Sequence, residues 1–141
     1  MYDSFYAINI FTARKTKTFV DISLGFKAHP ATADITRVED EEAVKTSIRN
    51  LISTKNFDRR FHPEIGCGIH NLLFENFTPV TVEIAKRMVA EVLIAYEPRA
   101  EILDIAVKDS VDNNELNITV EFKLLNSERP VKVTTILNKA R

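Results

Sequence analysis

The sequence predicts an α+β fold, in which about three helices pack on one face of a mainly antiparallel C-terminal sheet, with an additional N-terminal strand. Three observations carry this. At 141 residues the chain has the length of a single domain, since domains commonly run to roughly 100 to 150 residues. Apolar side chains recur with a helical period from about residue 39 to 96, then with the period of a strand from about residue 103 onward. Helices followed by strands, without strict alternation, are the pattern of an α+β domain. No repeat or low-complexity tract interrupts the chain, and its three glycines are too few for a flexible linker. The reading is one unit over residues 19–141, preceded by an arm of residues 1–18.

The opening holds an apolar stretch, 5–11, and a polar connection, 14–17. Val20, Ile22, Leu24 and Phe26 then alternate strictly and predict a strand. From His29 and Pro30 to Arg37 the chain reads as loop. Glu39, Asp40, Glu41 and Glu42 put anions at the positive end of a helix dipole, and Val44, Ile48, Leu51 and Ile52 follow at helical spacing. That predicts about four turns, with Lys55 at the C-terminal end. Pro63, Gly66 and Gly68 punctuate a loop, and a short helix over 71–76 should present Leu72, Leu73 and Phe77. Thr78 or Thr81 can cap the next helix, with Pro79 in its first turn. Ile84, Met88, Val92 and Tyr96 form its stripe, widened by Ala85, Val89 and Leu93, and Pro98 ends it.

After Pro98, Leu103, Ile105 and Val107 alternate with polar neighbours. A turn at 112–114 leads to Leu116, Ile118, Val120, Phe122 and Leu124, so the pair reads as a hairpin with one apolar face. Val131, Val133 and Leu137 supply a third strand. The expected core joins Ile84, Met88 and Val92 to Ile118, Val120 and Phe122.

Composition narrows the function classes. Hydrophobic residues at 45% and charged residues at 28% describe a globular chain, not a disordered one. The single cysteine forms no internal disulfide. No apolar run approaches the roughly 18 residues of a membrane span, and residues 1–10 lack the basic start of a secretory leader. A net charge of -1 gives no case for wrapping nucleic acid. The charge is uneven, however: the first 20 residues carry three cations to one anion and the last 15 carry four to one, flanking an acidic middle.

Few constellations suggest chemistry. His62, Cys67 and His70 are close in sequence, but three ligands fall short of the usual four of a structural zinc site. Cys67 would need one of those histidines as a base to serve as a nucleophile, and a lone cysteine among isoleucines reads as a small buried residue. Glu64, Glu75 and Glu97 are the candidates for a glycosidase carboxylate pair. No nucleophile elbow or phosphate loop is present. Glu97, Pro98 and Arg99 stand out, because a proline fixes an acid and a guanidinium at the helix-to-sheet corner. Arg99 can grip a carboxylate of its own fold or of a partner; docking is the role expected of the trio.

The run from Arg59 to Arg99, RRFHPEIGCGIHNLLFENFTPVTVEIAKRMVAEVLIAYEPR, resembles the gene 25 family, the small baseplate wedge proteins of contractile-tailed phages with relatives in the type VI secretion baseplate. Its landmarks are Arg60, Phe61, Pro63, Glu64, Gly66 and Cys67, then Leu73, Phe74, Glu75 and Asn76, then Thr78 and Pro79, and finally Tyr96 through Arg99. The resemblance covers about residues 20 to 138, and residues 1–18 match nothing.

The resemblance implies a structural protein with no cofactor or metal, contacting neither nucleic acid nor membrane. It would be made in the host cytoplasm and located in the virion baseplate, near the tail tube, in six copies. Its partners would be the other wedge proteins and the tail sheath protein, whose polymerisation it would initiate by offering a sheet edge. The edge expected to accept a sheath strand is Val131, Lys132, Val133, Thr134, Thr135, Ile136 and Leu137, beside the basic C-terminus with Lys139 and Arg141. The family also carries a lysozyme label, so a cell-wall hydrolase is the enzymatic alternative.

Overall fold

The computed structural model describes residues 18–110 and 115–138. The stretches 5–11 and 14–17, the turn at 112–114, and Lys139 and Arg141 lie outside the described residues. In chain order come β1 (Val20–Ile22), β2 (Arg37–Glu39), α1 (Asp40–Ser53), α2 (Ile69–Leu72), α3 (Pro79–Tyr96), β3 (Ala100–Ser110), β4 (Glu115–Leu124) and β5 (Pro130–Asn138). The last three strands form one antiparallel sheet in the order β3-β4-β5. On one face of it α3 lies against β3 and α1 against β5, while β1 and β2 pair as a separate antiparallel ribbon beside α1. The α+β architecture is the one the two periodicities predict.

Helix α1 begins with Asp40, Glu41 and Glu42 in its first turn and buries Val44, Ile48, Leu51 and Ile52, the predicted stripe. It stops at Ser53, where the Thr54 amide and hydroxyl both donate to the Asn50 carbonyl, so Lys55 falls just past its end. The following loop folds back closely on the end of α1. A Cβ on Gly66 would lie 2.6 Å from the Lys55 carbonyl oxygen, a separation only glycine avoids. The adjacent Cys67 amide donates to the Thr54 carbonyl at 2.8 Å. Helix α2 starts two residues earlier than expected and is a single turn, because Ile69 is drawn fully into the core together with Leu72.

In α3 the Thr78 hydroxyl accepts the Thr81 N–H at 3.2 Å, with Pro79 in the first turn. The buried face of α3 is Thr81, Ala85, Val89 and Leu93. The expected stripe is therefore rotated by one position: Ile84 is 43% exposed, and Met88 and Val92 only flank the core. Small side chains at 85 and 89 let the helix backbone approach the strands, which a line led by Ile84 would hold off.

On the sheet, Leu116, Ile118, Val120, Phe122 and Leu124 are all buried, as alternation predicts. The reading of β3 needs one correction. Register shifts between Ile102, opposite Phe122, and Asp104, opposite Glu121. Leu103 is the extra residue of this bulge and is half exposed, whereas Ile105 and Val107 remain buried. A second correction concerns the N-terminal strand. It is only three residues long and pairs with β2, a strand at Arg37–Glu39, where the loop was expected to end and the helix to begin. Leu24 and Phe26 lie beyond it and are exposed, so their alternation marks no buried face.

Truncations should rank by this geometry. Phe122→Ala, at a fully buried site, should cost about 3 to 5 kcal/mol, and Ile84→Ala less than about 1 kcal/mol. Urea denaturation of the two variants checks the order, and an unchanged midpoint for Phe122→Ala would remove that ring from the core.

Candidate functional site

The corner between α3 and β3 gathers more of the molecule than its three residues suggest. Pro98 follows the last helical turn, the Glu97 amide still donates to the Leu93 carbonyl, and Ala100 donates to the Glu97 carbonyl as β3 begins. Within this bend the Glu97 side chain is 1% exposed. Arg99 grips it through Nε to Oε1 at 2.6 Å and Nη2 to Oε2 at 2.9 Å. The remaining nitrogen, Nη1, donates to both carboxylate oxygens of Asp21 in β1, at 3.2 and 3.0 Å. The guanidinium carbon lies 5.8 Å from the Phe19 ring centre, and the Arg99 carbonyl accepts the Leu125 N–H.

Burial alone would push the Glu97 carboxyl up. The hydrogen bonds from Arg99 and from Ser47 of α1, with the adjacent positive charge, outweigh that and hold it below its ordinary value. The same contact with Glu97 raises the Arg99 value further, so both stay charged. Of the predicted trio, the structure joins Glu97 to Arg99 and leaves Pro98 exposed. It adds Asp21, Ser47 and Phe19, none of which sequence spacing indicates: Asp21 is 78 positions from Arg99.

The second candidate region is β5, which among the described residues lies at a sheet edge and pairs only with β4. Val131, Val133, Thr135 and Leu137 face the core, while Lys132, Thr134 and Ile136 face outward. Lys132 pairs with Glu121 across the sheet at 3.2 Å, and the Thr134 and Thr119 hydroxyls are 3.1 Å apart.

The catalytic candidates are dispersed in their chemistry. A glycosidase acid needs a carboxyl held protonated. Glu64 is exposed, and its own backbone N–H and then the His62 ring lower its value; Glu97 is lowered too, and Glu75 is exposed. Burial pushes the Cys67 thiol up, against a partial offset from the Ile69 amide, the opposite of an activated nucleophile. His62 points to Glu64, and His70 Nδ1 is 3.5 Å from the Cys67 carbonyl. Among the described residues no three His, Cys, Asp or Glu side chains converge as metal ligands.

Acid should expose the Glu97 pair. Below its ordinary value of 4.5 the unfolded chain takes up a proton that the folded chain still resists. Stability contributed by Glu97 is therefore complete above that pH and is lost as pH falls through the lower folded-state value. Thermal melts from pH 7 to pH 3 should show a shallower acid slope for Glu97→Gln than for the parent. At pH 7, Arg99→Ala should cost about 3 to 5 kcal/mol, because it leaves a buried carboxylate without its cation. Equal acid slopes for parent and Glu97→Gln would show that the carboxylate carries no such linkage.

With this geometry in view, comparison with known proteins places the chain. Residues 38–129 match the family described as baseplate wedge protein gp25. The baseplate wedge protein gp25 of Enterobacteria phage T4 is 31% identical over 94 residues, which is 67% of this chain and 71% of that protein. A crystal structure from Geobacter sulfurreducens, described as a candidate tail lysozyme, superposes with a TM-score of 0.66 at 26% identity, covering 72% of this chain and 92% of that one. A chain of the anti-feeding prophage baseplate shares the fold at TM-score 0.60 and 21% identity, with 84% of each chain covered. So does one from the type VI secretion baseplate complex, at 0.56 and 16%, covering 70% of this chain and 93% of that one. The chain belongs to the gp25 baseplate wedge family.

Proposed function

We propose that the protein is a structural part of a contractile phage tail baseplate, lying near the tube in six copies, docking on larger wedge proteins and starting sheath polymerisation from the free edge of β5. The observation that carries the edge assignment is the contrast between the two outer strands. β3 is interrupted by the bulge at Leu103, a device that disfavours pairing along an edge. β5 keeps unbroken register with β4 from Pro130 to Asn138, and its inner row is anchored in the core. A straight, anchored strand offers alternate N–H and C=O groups in a plane, and an incoming strand can satisfy them with little dependence on its side chains. The six-fold symmetrised baseplate that contains a chain of this fold is consistent with the copy number.

Docking on wedge proteins is assigned to the corner of Glu97, Pro98 and Arg99. Most of the Arg99 capacity is used inside the fold, so the exposed parts are Pro98 and the solvent-facing side of the guanidinium, whose side chain is 23% exposed. The likeness to the Geobacter structure keeps a hydrolase as the second reading. It is disfavoured by carboxylates held charged, where a general acid must be neutral.

Two experiments separate these roles. Thr134→Pro and Thr135→Pro each remove one of two successive backbone donors, which point to opposite sides of the strand. The variant with the smaller loss of thermal stability has lost the outward donor, and baseplates carrying it should fail to start sheaths. Sheaths of normal length on those baseplates, and on baseplates whose chain ends at Ser127, would exclude β5 as the template. For the corner, Arg99→Ala should be absent from baseplates while Val89→Ala, a core variant matched in melting temperature, still enters; equal entry would leave Arg99 a brace alone. Clearing of a peptidoglycan suspension by the parent but not by Glu64→Gln, Glu75→Gln or Glu97→Gln would establish the hydrolase.

A further inference from the structure

We infer that the loop between α1 and α2 is a preformed docking surface for an acidic, apolar-containing segment of a protein partner, read by Phe57, Arg59, Arg60 and Phe61. The proposal goes beyond the baseplate reading and does not rest on it. Phe57 is 81% and Phe61 92% exposed, an unusual position for two residues of a type normally found in cores. Phe57 also has φ of 72°, in the left-handed region that a bulky side chain rarely adopts. A folded chain keeps such a conformation only where its surroundings impose it, and such positions cluster at functional sites.

Here the surroundings are specific. The Phe57 amide donates to the Pro63 carbonyl at 3.0 Å, closing the loop on itself. The Lys55 amide donates to the Asp58 carboxylate at 3.1 Å, and Gly66 lies directly on the Lys55 carbonyl. The Tyr96 hydroxyl, from the end of α3, reaches the Glu64 carbonyl. The rings are therefore held outward by a braced loop, so little ordering is required when a partner binds.

Charge selects the partner. The acids of the loop are engaged, Asp58 with the Lys55 amide and Glu64 with His62. Arg59 and Arg60 have no carboxylate partner among the described residues, although guanidinium groups suit carboxylates in paired hydrogen bonds. Arg59 also borders a groove of about 370 Å³ whose walls include Ile22, Leu24 and Ile65, space for an apolar side chain beside the cations. Aromatic rings with arginines also suit single-stranded nucleic acid. Two adjacent cations make only a short track for phosphates, and the apolar walls of the groove suit a peptide side chain, which favours protein.

Nuclear magnetic resonance titration of the full chain tests this with three probes: an eight-residue peptide alternating Glu and Leu, its Lys and Leu counterpart, and an eight-nucleotide thymidine strand. The acidic peptide should shift the amides of residues 57–62 and bind at least about tenfold more tightly than the basic one. Arg59→Glu with Arg60→Glu should reverse that preference without changing the melting temperature, since both side chains are exposed. Phe57→Gly should raise the melting temperature, by relieving the left-handed strain, and weaken peptide binding. No shifts in the loop at millimolar peptide, equal response to both peptides, tighter binding of the oligonucleotide, or full binding by Phe57→Gly would each overturn the proposal. Failure here leaves the baseplate reading standing, because that reading is tested on assembled particles.

Discussion

A carboxylate placed out of reach of water requires a cation, and in this protein that requirement fixes the relation of the elements that meet at one corner. Glu97 sits at the end of α3 with 1% of its surface exposed. Arg99 reaches back two residues to hold both of its oxygens, which is possible because Pro98 turns the chain between them. Ser47 brings α1 to the same carboxylate. The unused guanidinium nitrogen draws in Asp21, and with it the N-terminal ribbon. Removing Arg99 would leave Glu97 charged and out of reach of water, so these two act as a unit, while Asp21 is 39% exposed and adds a partly solvated contact.

What the sequence made legible follows from which constraints are local. The α1 stripe was readable because acids at its start and apolar residues at helical spacing agree. The apolar face of β4 was readable because a central strand has one parity, and nothing interrupts it. The β3 pattern misled because a bulge changes parity without leaving a composition signal, so Leu103 read as inward and is outward. The α3 stripe misled because apolar residues cover more than half of that helix, and closeness of approach, not hydrophobicity, selected Ala85 and Val89. At the corner, sequence gave Glu97, Pro98 and Arg99 as neighbours. It could not show Asp21, whose contact is purely tertiary.

The ribbon illustrates the same limit. Val20 and Ile22 alternate with polar residues, yet they are 48% and 58% exposed: among the described residues β1 pairs with β2 alone and packs only along one side, beside α1. It is held by polar contacts instead. The Asp40 amide donates to the Phe19 carbonyl at 2.7 Å, and its Oδ1 accepts both the Phe19 N–H and the Asn126 side-chain amide. Asp40 has φ of 43°, a conformation that aspartate tolerates better than most residues. One carboxylate therefore links the ribbon, the start of α1 and the β4-to-β5 connection.

The layering also constrains any strand added at β5. In the described sheet two helices cover three strands, with α1 serving the β5 side. Inner residues of β5 at 131, 133, 135 and 137 already occupy the space beneath that helix. A fourth strand would continue the hydrogen-bonded plane past the helix, and its alternate side chains would face the same way with none of the described helices above them. An isolated apolar peptide would gain backbone hydrogen bonds but leave one row of side chains wet. A strand that arrives with part of a folded partner can bring its own cover, extending the core as well as the sheet. Productive addition at this edge would thus favour a folded subunit over a loose segment.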